Sequence, residues 1–66
     1  MMKLNVWQIK VILAEKGMTQ NDLAIKVGIS RQGINDILNR ESCTLKTLGR
    51  IAKALGVPVQ EIVKEE

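Results

Sequence analysis

Apolar positions recur three and four residues apart along this chain, and most of these runs stop at a glycine, a pattern that predicts short amphipathic helices rather than strands. The clearest run follows Thr44: Leu45, Leu48, Ile51, Ala52 and Leu55, closed by Gly56. Nearer the start, Leu4 to Lys16 reads as a first helix ended by Gly17, the residue type best able to take the left-handed turn that closes a helix. Its apolar residues cover nearly the whole circumference, so one face is spare; Trp7 and Val11 belong either to the core or to a partner surface. A second helix begins at the N-cap Thr19, with Asp22 placed as the carboxylate of a capping box, Leu23, Ala24 and Val27 as its buried stripe, and Gly28 as its stop. Ser30 caps a third helix, whose Ile34, Ile37 and Leu38 share about 100° of arc. Pro58 sets the entry of a fifth, Val59 to Lys64, with Val59, Ile62 and Val63 apolar and the final glutamates frayed.

These elements predict an all-α fold, a compact five-helix domain occupying residues 1–66. The size agrees, because a chain this short hides only about 60% of its unfolded surface and cannot divide its core in two. Hydrophobic residues are 45% of the chain but aromatics only 2%, so the core is built from Ile, Leu, Val and Ala around the single Trp7.

Composition then narrows the chemistry. There is no His, Tyr or Phe, which removes the usual general base and the commonest metal ligand. Neither an enzyme nor a metal or other cofactor is expected. The single Cys43 has no partner for an internal disulfide and no His beside it to make a nucleophile, so it reads as an incidental small residue rather than a redox sensor. No run of 18 apolar residues and no cleavage-site pattern is present, which predicts a soluble cytoplasmic protein with no membrane partner. Met1 and the charged tail favour a complete small regulator. The net charge is +3, but residues 1–60 hold nine bases against four acids, a basic body with an acidic tail. That is a modest hint of a polyanionic partner.

The second and third helices supply a sharper one. Two helices joined by a three-to-four-residue turn containing glycine, the second of them N-capped and polar on one side, follow the plan of a helix-turn-helix. A major groove about 12 Å wide admits one helix, and only the outward face of its first two turns reaches base edges. Gln32, Asn35, Asp36 and Asn39 stand opposite the apolar stripe, with Arg31 at its flank. Arg pairs bidentately with guanine, and Gln or Asn with adenine.

The stretches GMTQNDLAIKVGISRQGINDIL and TLKTLGRIAKALGVPVQEIV resemble the phage-repressor and Cro family of helix-turn-helix DNA-binding domains over residues 9–63. The residues that carry the resemblance are Thr19, Gln20, Leu23, Ala24, Gly28, Ser30, Arg31, Ile34, Leu48, Ile51, Ala52, Leu55, Gly56 and Val57. It implies that the third helix reads double-stranded DNA through Arg31, Gln32, Asn35 and Asp36, while Gln20 and the second-helix amides bind phosphate. Asn21, Asn39, Arg40 and Lys46 flank the reading helix and join the expected phosphate contacts. Lys53 reads as a solvated face, and Arg50 stays open. The resemblance also implies a homodimer on DNA, in contact through Val57, Pro58, Val59 and Ile62. The function expected is a sequence-specific transcriptional regulator, a repressor first. The alternative is an antitoxin-like module that binds a protein partner, supported by the surplus apolar surface of the first helix.

Five positions depart from the family pattern or raise a question. Asp36 either accepts from a cytosine amino group or pairs with Arg40. Leu13 and Leu38 stand where the family often has a buried Arg and Glu; a paired replacement by apolar residues strands no charge, and the two are expected to touch. Gly33 weakens its helix by about 1 kcal/mol against Ala. It either lets the third helix approach a neighbour or clears access to DNA, the first being favoured. Ile25 takes a slot that is polar in the family, and one exposed Ile needs no explanation.

Overall fold

A computed structural model describes residues 1–64. In chain order it comprises β1 (Met2–Lys3), α1 (Val6–Lys16), α2 (Gln20–Val27), α3 (Arg31–Arg40), β2 (Ser42–Cys43), α4 (Leu45–Leu55) and a single 3-10 turn at Val59–Glu61. Among the described residues there are four α-helices where five helices were expected, and a small strand pair was not foreseen.

Local chemistry sets the helix boundaries. Asn5 caps α1 by accepting from the Gln8 N–H at 3.1 Å, so this helix starts later than the apolar run beginning at Leu4. At α2 the capping box closes in both directions: the Thr19 Oγ1 accepts from the Asp22 N–H at 3.0 Å, and an Asp22 carboxylate oxygen accepts from the Thr19 N–H at 2.9 Å. Thr44 caps α4 through the Thr47 N–H at 3.2 Å. Gly28, at φ 86°, ends α2 in the left-handed conformation that a side chain disfavours.

The fifth helix is replaced by the turn at Val59–Glu61 because tertiary demands take over after Pro58. Ile62 is carried into the core at 0% exposure, and Val63 pairs with Leu4 in an antiparallel bridge, which needs extended backbone. The fraying expected of Glu65 and Glu66 concerns residues outside those described.

β1 runs antiparallel to β2, with Met2 opposite Cys43 and Lys3 opposite Ser42. This pair sits beside the end of α3. Cys43 is therefore not in an open loop: it is buried, and burial pushes its thiol pKa up, away from the thiolate a redox sensor needs.

One hydrophobic core joins the four helices and both strands, and Ile62 enters it just after the 3-10 turn. α2 packs against both α3 and α4. Leu13 and Leu38 are both buried in this core, with no buried polar or charged residue among those described. Apolar residues at these two positions thus leave no stranded charge. Two apolar residues depart from expectation. Leu45, in the stripe of α4, is 71% exposed although Leu48 in the same turn is buried, and Trp7 is 77% exposed, which removes it from the core.

Candidate nucleic-acid interface

The third helix, α3, is built from its cap outward. The Ser30 Oγ accepts from the Gly33 N–H at 3.0 Å and starts α3 in a fixed place. Ile34, Ile37 and Leu38 are buried and hold the helix to the core. With one side so committed, a repeat of 100° per residue forces Gln32, Asp36 and Asn39 outward. All three are exposed, as is Arg31, while Asn35 is half-buried at the edge of the stripe. The expected base-reading residues thus share one accessible face.

The nearest atoms an added Cβ at Gly33 would meet do not belong to another helix, against the close approach favoured for it. A Cβ at this position would stand 3.2 Å from the Ser30 Oγ and 3.6 Å from the Ile29 Cδ1. Its close neighbours are the helix's own cap and the preceding turn, not another helix.

Asp36 also has a partner other than the one expected. Its Oδ1 accepts from the Gln32 Nε2 at 3.3 Å, one turn back along α3. Arg40, one turn ahead, lies instead in a groove of about 270 Å³ with Lys3, Glu41, Ser42 and Lys64. Lys3 and Lys64 were missed in the sequence. They are distant from Arg40 along the chain, and the pairing of residues 2–4 with residues 41–43 and 63 brings them to it.

At the start of α2, Gln20 is half-buried and Asn21 exposed. The Asp22 N–H is used by Thr19 and the Leu23 N–H by the Thr19 carbonyl. That leaves the Gln20 and Asn21 amides, which have no intrahelical acceptor, to donate outward. The Asp22 carboxylate is held below the usual range, first by the Thr19 backbone N–H, then by the Thr19 side chain, with a smaller contribution from the Lys26 charge and opposition from desolvation. Asn39, Arg40 and Lys46 are exposed. A second, larger cleft of about 540 Å³ is lined by Lys26, Val27, Arg50, Lys53 and Ala54; it gathers three cations but includes no residue of α3.

Of the expected dimer residues, Val57 is half-buried, and Pro58 and Val59 are exposed. Ile62 must be withdrawn from that set, because it is fully enclosed in this chain's own core and has no surface to offer a second copy.

Residues 8–65 match the Cro/C1-type HTH DNA-binding domain. The chain belongs to that family. This Cro/C1-type domain is 43% identical over 60 residues to an immunity repressor protein of Bacillus phage phi105, a match that takes in 89% of this chain and 42% of the phage protein. The chain thus spans about two-fifths of that relative's length. Among solved structures it is similar to the restriction-modification controller protein C.Esp1396I, with a TM-score of 0.70 and 42% identity, over 80% of this chain and 70% of the other. The helices of the Cro/C1-type domain lie almost wholly within the family match, whereas β1 and the cap Asn5 precede it. Among the described residues no helix is long and apolar enough to cross a membrane.

Proposed function

We propose that this Cro/C1-type domain is a transcriptional repressor that acts in the cytoplasm as a homodimer and reads a palindromic operator with one α3 in each half-site. The observation that carries the proposal is the two-sidedness of α3: Ile34, Ile37 and Leu38 fix it to the core while Arg31, Gln32, Asp36 and Asn39 stand exposed. A helix held this way delivers its polar face to a groove without paying further ordering entropy. Arg31 reads guanine, Gln32 and Asn35 read adenine, and the Gln20 and Asn21 amides, Asn39, Arg40 and Lys46 take phosphates. One such helix specifies too few base pairs to find a site in a genome. Two copies related by a two-fold axis and joined through Val57, Pro58 and Val59 supply the rest.

The test is selection of bound sites from random duplexes, with sedimentation of the protein on the enriched site. The expected result is an inverted repeat with half-sites about 34–36 Å apart, bound by two copies. Arg31→Ala should lose preference at one base pair in each half-site and about 1–3 kcal/mol of specific affinity. Enrichment of no sequence, or uniform weakening of all duplexes by Arg31→Ala, overturns the reading.

A further inference from the structure

Gln32 and Asp36 touch each other across one turn of α3, and both are exposed on the face assigned above to bases. The contact has a direction that chemistry alone fixes. An ionised carboxylate only accepts hydrogen bonds, so the Gln32 amide must turn its NH₂ toward Asp36 and its oxygen away. A glutamine standing alone has no such constraint, since its amide can flip to present either group.

From this pair we infer that Asp36 is a positioning residue that locks Gln32 into an acceptor-presenting orientation and so makes it select adenine over guanine. The inference rests on the reading of α3 as the base-contacting helix. In the major groove adenine offers its N6 amino donor beside the N7 acceptor, whereas guanine offers two acceptors, O6 and N7. The outward Oε1 of Gln32 accepts from the adenine N6, while its second N–H remains for N7. Against guanine the same Oε1 meets O6, acceptor to acceptor. Flipping the amide to suit guanine breaks the bond to Asp36 and turns Oε1 onto its carboxylate. Asp36 is thus reconciled with a phosphate-rich partner: its charge acts on the choice of base through Gln32, and its Oδ2 faces a base edge only where an amino group is offered.

The experiment is site selection from random duplexes with the full chain and with Gln32→Ala, Asp36→Asn and Asp36→Ala, each checked by its melting midpoint. Gln32→Ala marks the base pair concerned, as the position where preference disappears. There the wild type is expected to favour adenine over guanine by at least about tenfold. The amide introduced by Asp36→Asn can donate as well as accept, which frees the Gln32 amide to flip, and Asp36→Ala removes the partner altogether. Both are expected to bring guanine within about threefold of adenine at that one position, with a midpoint within about 2 °C of wild type, as befits an exposed pair.

Guanine preferred by the wild type at the Gln32 position overturns the inference. So does discrimination that survives in both Asp36 variants, or a preference lost in them at a different base pair, which would make Asp36 a reader in its own right. If the wild type shows no base preference anywhere, the assignment of α3 falls first and this inference with it.

Discussion

Glu41 ends α3 in the left-handed conformation, at φ 57°, where α1, α2 and α4 each use a glycine. A side chain in that region costs about 1–2 kcal/mol. Its carbonyl is held by the Leu4 N–H at 2.8 Å, so the backbone cannot relax without releasing the N-terminal segment. Glu41→Gly should therefore raise stability by about 0.5–1 kcal/mol, the relief of strain being partly offset by the greater freedom of glycine in the unfolded chain. Gly28→Ala is the opposite case. A Cβ there meets nothing within 4 Å, so the loss expected, about 1–2 kcal/mol, comes from the positive φ alone. Urea unfolding of both variants measures the two signs; a destabilised Glu41→Gly would mean that the glutamate side chain makes a contribution larger than its strain.

At the scale of the element, the caps were legible because they are local. Thr19 with Asp22, and Ser30, lie three residues from the groups they bind, and each makes the expected bond; Thr44, not foreseen as a cap, follows the same rule. The apolar stripes of α2 and α3 were legible for the same reason. What escaped was set by neighbours distant in sequence: Leu45 keeps the period of α4 but stays exposed, and Ile62 leaves helical geometry to reach the core. The Gln32 and Asp36 contact lay within reach at i, i+4, but two residues assigned separately to bases were not weighed as a pair. The Asp22 cap also sets a pH dependence. Its folded pKa is lowered from 3.8 chiefly by the Thr19 N–H, so its contribution is complete above the unfolded carboxylate pKa and fades as pH falls through the folded value. Melting midpoints measured downward from pH 5 should therefore drop more steeply in the wild type than in Asp22→Asn, whose amide does not titrate. Equal acid slopes in the two proteins would show that other carboxylates dominate the acid limb.

At the scale of the whole molecule, residues 3–5 join two segments that no local pattern connects. The Leu4 N–H donates to the Glu41 carbonyl at 2.8 Å, the Asn5 N–H to the Ile62 carbonyl at 2.8 Å, and the Lys64 N–H to the Lys3 carbonyl at 2.9 Å. Leu4, at 0% exposure, anchors the junction in the core. The end of α3, the N-terminal segment and the stretch after the 3-10 turn should consequently open as one cooperative unit. Amide hydrogen exchange of the native protein should give Leu4, Asn5 and Lys64 the same opening free energy. Leu4→Val, which removes one buried methylene at a cost of about 1 kcal/mol, should lower all three together. Lys64 exchanging freely while Leu4 and Asn5 stay protected would break the unit apart. The consequence reaches the proposed DNA contacts, because the same junction keeps Lys3 and Lys64 in the groove beside Arg40.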